Sequence, residues 1–204
     1  MSWFVDARRH LEVRPDRIGP GRLILVVGPS GAGKDTLIAS ARAECAHDAS
    51  VVFPRRAITR AATAFEDHDT ISEEMFRRAV GAGAFALWWE AHGLCYGIPG
   101  AIDDDIRSGK TVVCNVSRTV VEPTRRRYAR VAVVCVTAPR HILESRLAAR
   151  DRPSDGNLAA RAGRDATVGR NVDADFLIHN VGQPGAGIRR LTNVIRDEGV
   201  IVMF

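Results

Sequence analysis

A glycine-rich loop with one lysine is the part of this sequence whose residue types and spacing are best suited to chemistry. The segment Gly-Pro-Ser-Gly-Ala-Gly-Lys-Asp-Thr follows the apolar run 23–27 and precedes a segment of helical pattern. Glycines let backbone N–H groups close around an anion, and the N-terminus of a following helix adds partial positive charge. Lys34 can reach the β- and γ-phosphates of a nucleoside triphosphate. The residues predicted to bind that ligand are Gly28, Pro29, Ser30, Gly31, Ala32, Gly33, Lys34, Asp35 and Thr36.

Two residues of this loop carry additional information. Lys34 is one of only two lysines beside 27 arginines, so a lysine here does not follow the chain's general preference. Asp35 stands where the common motif has Ser or Thr to hold magnesium. Because a carboxylate beside a triphosphate is repelled unless a cation lies between them, we predict that Asp35 and Thr36 position Mg²⁺. The alternative is a loop that only connects strand and helix, with Asp35 as a helix cap.

Composition and charge exclude several classes of protein. The 204 residues, 46% hydrophobic and 26% charged, suffice for one well-buried core. The pI near 9.5 comes from arginine, and scattered arginines suit small phosphorylated ligands as well as nucleic acid. No basic run alternates with aromatic residues, no stretch reaches membrane-spanning length, and the four cysteines lack metal-ligand spacing. The N-terminus lacks a secretory signal, so we expect a cytoplasmic protein that binds neither nucleic acid nor membrane.

The elements that must position the loop follow an alternating pattern. Apolar, β-rich runs recur at 23–27, 111–116, 131–136 and 176–178, separated by helix-like stretches. This alternation predicts an α/β fold, a parallel sheet with helices on both faces. Helix ends are also indicated: Thr70 with Glu73 fits a capping box with Ser72 as a competing cap, Pro139 suits a first helical position, and Gly109 suits a C-cap.

Two regions depart from this alternation. Residues 54–100 carry several arginines and close on an aromatic stretch, and residues 148–170 place arginines among small and turn-forming residues. In a kinase of this size they would be an acceptor-binding arm and a lid that excludes water. The alternative for 148–170 is a solvated arginine-rich helix pair. We expect residues 1–20 to be an N-terminal extension and 21–204 to be a single domain.

Together these segments resemble the guanylate kinase family and, within it, the ribose 1,5-bisphosphate phosphokinases of phosphonate breakdown. The resemblance runs from about Leu23 to the end of the chain. Its specific parts are the Lys-Asp pair of the loop and the stretch Ala-His-Gly-Leu-Cys-Tyr-Gly at 91–97. The other shared segments are residues 56–60, 66–68, 72–76, 115–118 and 142–152.

The resemblance implies a P-loop kinase with a guanylate-kinase-like acceptor arm and lid. Its reaction would transfer the γ-phosphoryl group of ATP, with Mg²⁺, to ribose 1,5-bisphosphate, giving 5-phosphoribosyl 1-diphosphate and ADP. The residues implied for catalysis are Lys34, Arg146, Arg150 and Arg152. Those implied for substrate binding are Arg56, Arg60, His68, His92, Tyr96, Asn115, Arg161 and Arg164. Surface charge would also account for the lid arginines, and aromatic packing would account for the segment containing His92 and Tyr96.

Departures from true guanylate kinases bear on the acceptor. Those enzymes read guanine with a serine, a glutamate and acidic residues, and the matching positions here are Arg56, Leu87, Asn115 and Ser117. Leucine cannot accept from the N–H groups of a base, and arginine adds a cation, so both changes favour an acceptor rich in phosphate. A nucleoside monophosphate kinase with altered base choice and a non-catalytic binding module remain as alternatives, and the sequence leaves open whether the protein is a homodimer.

Overall fold

The computed structural model describes residues 16–61, 68–149 and 173–197. The strands in these ranges are β1 (Arg22–Val27), β2 (Val51–Val52), β3 (Arg56–Ile58), β4 (His68–Thr70), β5 (Phe85–Ala91), β6 (Leu94–Pro99), β7 (Thr111–Asn115), β8 (Val131–Thr137) and β9 (Phe176–His179). The α-helices are α1 (Lys34–Glu44), α2 (Glu73–Gly81), α3 (Ile102–Arg107), α4 (Val121–Arg127), α5 (Arg140–Ala148) and α6 (Pro184–Arg196). No helix within the described ranges is both long and apolar enough to cross a bilayer.

A parallel sheet of five strands, flanked by helices, has the order β2-β7-β1-β8-β9. Val51 pairs with Thr111 at one edge, and Val134 pairs with Phe176 at the other. Every residue of β1 is buried, as expected for a strand of a parallel sheet that is covered on both faces. The four apolar runs predicted as strands are confirmed as β1, β7, β8 and β9.

The described residues fall into two compact units, 16–24 with 50–131 and 25–49 with 132–197. The first unit contains a second sheet, of order β4-β3-β6-β5, in which β3 and β4 are parallel and the other pairs antiparallel. Phe76 of α2 stacks on Phe85 of β5 with ring centroids 4.8 Å apart. Gly97 of β6 lies against the same ring, since a Cβ placed there would be 2.6 Å from two of its carbons. Sequence reasoning did not predict this sheet.

A buried polar cluster joins α3 to the end of α4 in the first unit. The Tyr128 hydroxyl donates to Asp103 Oδ1 at 2.5 Å, and the Arg127 guanidinium donates to the other carboxylate oxygen. Burial, and next the bond to Asp103, raise the pKa of Tyr128. Ile18 bridges to Tyr128 in parallel, so the described end of the predicted N-terminal extension pairs with the segment after α4.

The second unit contains the phosphate loop, α1, β8, α5, β9 and α6. Helix α1 packs against α6, and the Thr192 hydroxyl donates to Glu44 Oε2 at 2.7 Å across that contact. At the start of β9 the Asp175 carboxylate accepts from the backbone N–H of Val133 at 2.7 Å. Both contacts join segments that are far apart in sequence. The first holds α1 against α6, and the second holds the start of β9 against β8.

Helix ends follow the sequence predictions in part. The N-cap of α2 is Ser72, whose hydroxyl accepts from the N–H of Met75 at 3.2 Å. The predicted capping box of Thr70 with Glu73 is therefore wrong, because Thr70 is the last residue of β4 and its hydroxyl donates to the carbonyl oxygen of Arg60. Pro139 is the N-cap of α5 and not its first residue. The C-cap of α3 is Ser108, so the C-cap predicted at Gly109 is wrong by one residue, and Gly109 follows it at φ +87°.

Candidate active site

The phosphate loop leaves β1 in a conformation that its glycines make possible. Gly28 has φ +142°, and a Cβ there would lie 2.0 Å from the carbonyl oxygen of Val136 on β8. Gly33 has φ +85° and is the N-cap of α1. A side chain at either position would be strained or would collide with its neighbours. The loop therefore brings its main chain, rather than side chains, to the start of the helix.

Lys34, Asp35 and Thr36, the polar residues that begin α1, take two different positions. Lys34 is the first residue of α1, and its Nζ donates to the carbonyl oxygens of Gly28 and Pro29 at 2.7 and 2.9 Å. Asp35 and Thr36 follow on the exposed side of the first turn. Because Gly33 is the N-cap, the alternative that Asp35 caps the helix is wrong. Its carboxylate instead lies where the partial positive charge of the helix N-terminus is felt.

Two side chains from segments distant in sequence donate hydrogen bonds to carbonyl oxygens of the loop. Arg146 of α5 donates through Nη1 to Gly31 O at 3.4 Å and through Nη2 to Asn180 O at 3.1 Å. Asn180, the residue after β9, donates through Nδ2 to Ala32 O at 2.8 Å. A cavity of about 330 Å³ adjoins these contacts. It is lined by Gly31, Gly33, Thr36, Leu37, Arg146, Ala149 and Asn180.

Arg146 lies beside the loop, where it donates to the carbonyl oxygens of Gly31 and Asn180. Its predicted catalytic role remains a prediction. The other arginines predicted for the lid lie outside the described residues, as does the lid itself from residue 150 onward. They are Arg150, Arg152, Arg161 and Arg164. Their predicted roles remain predictions.

Arg56 and Asn115 meet in the first unit. Arg56 begins β3, and its Nη1 donates to the carbonyl oxygen of Asn115, the last residue of β7, at 3.4 Å. Burial raises the pKa of the neighbouring Cys114 thiol to about 12, and the positive charge of Arg56 opposes that rise. Arg56 is half-buried. The structure therefore places a guanidinium at the end of β7, where the sequence predicted acceptor binding.

Arg60 and His68 are connected through the main chain. His68 is only 3% exposed, and its Nε2 lies 3.1 Å from the carbonyl oxygen of Arg60. The Thr70 hydroxyl donates to the same oxygen at 3.2 Å. A carbonyl accepts, so Nε2 carries the proton in this contact. In the structure His68 fixes the segment that carries Arg60, and its predicted direct contact with substrate remains a prediction.

His92 and Tyr96 belong to the β5–β6 hairpin. His92 and Gly93 form its two-residue connection, with φ of +55° and +72°, as a type I′ turn requires. The ring of Tyr96 stacks on Trp89, with centroids 5.3 Å apart and planes 2° from parallel. The stretch 91–97, one of the specific parts of the family resemblance, therefore contributes the turn of this hairpin and the first residues of β6. Contacts of His92 and Tyr96 with substrate stay predictions.

By the resemblance to guanylate kinases, Leu87 is expected to stand in place of a glutamate that reads the base. It lies on β5, next to an irregularity in the pairing with β6, and only 6% of the residue's surface is exposed. Its side chain is therefore part of the core of the second sheet, and a purine base would find no hydrogen-bond acceptor on it.

Comparison with known proteins now identifies the family. The chain is 54% identical over 179 residues to a ribose 1,5-bisphosphate phosphokinase PhnN of Rhodopseudomonas palustris, covering 88% of this chain and 90% of that protein. It is 52% identical over 181 residues to the PhnN of Bradyrhizobium diazoefficiens, covering 89% and 91%. The chain belongs to the ribose 1,5-bisphosphate phosphokinase PhnN family. No family model matches the chain.

The fold of this PhnN family member is that of a guanylate kinase. A guanylate kinase from Anaplasma phagocytophilum superposes with a TM-score of 0.64 over 89% of this chain and 87% of that one. At 19% identity, this likeness shows the fold alone. The resemblance inferred from the loop and the 91–97 stretch is confirmed at the level of family and fold.

The residues of this family member that could hold a metal are few. Within the described ranges no group of three His, Cys, Asp or Glu side chains is arranged for an ion. Mg²⁺ needs only one or two protein oxygens when it is shared with substrate phosphates and water. Thr36 and Asp35, exposed at the start of α1, supply such oxygens, so the donor set fits a phosphate-bound magnesium ion.

Proposed function

We propose that the protein transfers the γ-phosphoryl group of ATP to the 1-phosphate of ribose 1,5-bisphosphate, forming 5-phosphoribosyl 1-diphosphate and ADP. The observation that carries the proposal is an intact phosphate loop in a chain of this family: Gly28 and Gly33 have the required backbone conformations, and Lys34 lies at the start of α1. A binding module without catalytic activity would not need that loop.

The proposed reaction requires no covalent intermediate with the protein. The attacking group is a phosphate oxygen that is already ionised at neutral pH, so no general base is required. Catalysis then rests on positioning and on neutralising the charge that spreads over the transferred group. Lys34 would move from the loop carbonyls to the donor phosphates, and the N–H groups at the start of α1 would hold the same phosphates. Magnesium held with Asp35 and Thr36 would supply further positive charge.

Acceptor binding falls to arginine in this proposal. Arg56 and Arg60 would bind the phosphates of ribose 1,5-bisphosphate, since a guanidinium pairs with phosphate through two hydrogen bonds. The geometry that supports this is the position of Arg56 beside the end of β7 and the fixing of the Arg60 carbonyl by His68 and Thr70. Residues 54–100 would be the acceptor-binding arm. The binding partners in this proposal are two small molecules, ATP and ribose 1,5-bisphosphate.

Formation of ADP with a panel of acceptors tests the function. We expect turnover with ribose 1,5-bisphosphate and little with GMP, AMP or ribose 5-phosphate. Comparable or faster turnover with GMP would instead establish a nucleoside monophosphate kinase. No ADP with any acceptor, although the protein is folded and binds ATP, would contradict the proposed activity.

Arg56→Ser locates the acceptor site. Losing a charged hydrogen bond to phosphate should raise the KM for ribose 1,5-bisphosphate about tenfold to a hundredfold, with the KM for ATP nearly unchanged. The matched control is Arg78→Ser, because Arg78 lies in the same unit, is exposed, and pairs along α2 with Glu74 at 2.6 Å. An unchanged acceptor KM in Arg56→Ser would show that this arm does not bind the acceptor as proposed.

A further inference from the structure

Asn180 is buried, with 9% of its surface exposed, although it lies just beyond the end of an edge strand. Its backbone N–H donates to the carbonyl oxygen of Thr137 on β8 at 2.7 Å, which continues the pairing of β9 with β8 by one residue. Its side-chain amide then reaches Ala32 O, 148 residues earlier in the chain, at 2.8 Å. The atom facing that carbonyl must be the Nδ2 donor, because two oxygens would repel each other.

This hydrogen bond determines the direction of a loop N–H. The carbonyl of Ala32 and the N–H of Gly33 belong to the same planar trans peptide, and they point in opposite directions. Holding Ala32 O toward Asn180 therefore directs the Gly33 N–H away from Asn180. Gly33 is the N-cap of α1, whose N–H groups are the anion-binding groups of such loops.

The Asn180 amide has almost no freedom to turn away from the loop. A Cβ on Gly33 would lie 2.4 Å from Nδ2, and a Cβ on Gly187 of α6 would lie 3.3 Å from Oδ1. Two glycines thus enclose the amide from the loop and from the helix. The backbone carbonyl of Asn180 also accepts from Arg146 Nη2 at 3.1 Å, and the same guanidinium donates to Gly31 O. One segment beyond β9 is consequently tied to two successive peptides of the loop.

We propose that Asn180 is a positioning residue of the donor site, which holds the Ala32–Gly33 peptide so that its N–H is directed at the phosphates of the nucleotide. The proposal rests on the proposed function, because it assumes that the loop binds the phosphates of ATP. It gives Asn180 a role in binding polyphosphate and none in binding the nucleoside. Its effect does not depend on the base. It therefore predicts equal consequences for nucleotides and for inorganic polyphosphate.

The test compares binding of ADP and of inorganic tripolyphosphate to three variants, measured by calorimetry at fixed magnesium concentration. Asn180→Ala removes the donor, and Asn180→Asp replaces it with an acceptor facing Ala32 O. The matched control is Asn193→Asp, at an exposed position on α6. We expect both Asn180 variants to raise the Kd for ADP and the Kd for tripolyphosphate by similar factors. The factor should be at least about tenfold, and larger for Asn180→Asp than for Asn180→Ala. The control should bind both ligands like the unchanged protein.

A second readout separates positioning from general damage. The KM for ribose 1,5-bisphosphate should stay within about twofold in Asn180→Ala, and its far-ultraviolet circular dichroism should match the unchanged protein. Weaker ADP binding with unchanged tripolyphosphate binding would mean that Asn180 contacts the nucleoside, and would overturn the proposal. A lower Tm with unchanged binding of both ligands would also overturn it. If the unchanged protein binds neither ligand, the proposed function itself fails, and this inference fails with it.

Discussion

Replacing Lys34 with alanine is expected to lower kcat by about two to three orders of magnitude, since removal of one preorganised donor to a transition-state anion costs roughly 2.7–4 kcal/mol. In the structure the ammonium group already has two partners, Gly28 O and Pro29 O at 2.7 and 2.9 Å. The alanine variant removes this donor from the carbonyl of Gly28, a half-buried residue, and from that of Pro29, a buried one. We therefore expect a stability loss of about 1 kcal/mol, or about 2–4 °C in Tm, and an intact fold.

The chain offers an exact control, because it has only two lysines. Lys110 pairs with Asp105 at 2.8 Å, and 38% of its side chain is exposed. Lys110→Ala removes the same number of atoms and the same charge. It should keep kcat within about twofold, because Lys110 is not among the residues proposed to bind phosphate, and loss of its partly exposed ion pair should cost at most about 1 kcal/mol of stability. The assay is ADP release at saturating ATP and ribose 1,5-bisphosphate, with Tm measured on the same samples.

The two lysines also allow an assay without turnover. An amine-acylating reagent modifies Lys34, Lys110 and the N-terminus, and mass spectrometry distinguishes the three. ATP should protect Lys34 and leave the labelling rate of Lys110 unchanged. A kcat of Lys34→Ala within a few-fold of the unchanged protein, or no protection of Lys34 at saturating ATP, would refute the assignment of the donor site to this loop.

Two further predictions address the second sheet and the metal. Gly97→Ala should lower the Tm by about 2–12 °C, because a Cβ 2.6 Å from the Phe85 ring overpacks the second sheet at a cost of about 1–3 kcal/mol. The control Gly81→Ala, whose added Cβ would have no atom within 4 Å, should not lower the Tm, and equal Tm values for the two variants would show that the ring can move aside. Asp35→Asn should raise the magnesium concentration for half-maximal rate with little change in Tm, because Gly33 and not Asp35 is the N-cap; an unchanged magnesium requirement would remove Asp35 from the metal site.

The larger sheet could be predicted from the sequence because its strands are buried as continuous apolar runs. Val131 to Val136 are all buried on β8, and a short apolar run rich in valine is typical of a strand that is covered on both faces. The second sheet gave no such signal. Strands β3 and β4 have three residues each, and β4 reads His-Asp-Thr, so each is too short and too polar to be recognised without its partners.

The candidate site was predictable where its residues are contiguous. The phosphate loop is a local motif whose glycine spacing dictates the backbone, so Gly28 and Gly33 have the positive φ values that the motif implies. Asn180 could not be assigned in the same way, since its partner Ala32 is 148 residues distant and no spacing rule connects them. A polar residue just beyond the apolar run 176–178 was the only available signal, and it is equally typical of a turn.

The buried position of Leu87 changes what a switch of acceptor would require. If a glutamate at this position alone gave base recognition, Leu87→Glu would be a step toward GMP. With 6% of its surface exposed, however, the new carboxylate would be buried in the core of the second sheet without a partner designed for it. An unpaired buried carboxylate is strongly unfavourable, and it would take up a proton or disrupt the packing before it could read a base. Recognition of guanine would therefore need a different path for β5, beginning at the irregularity between Phe85 and Leu87. If Arg56 binds the acceptor as proposed, the path of β5 is then a second determinant of acceptor choice beside the identity of Arg56.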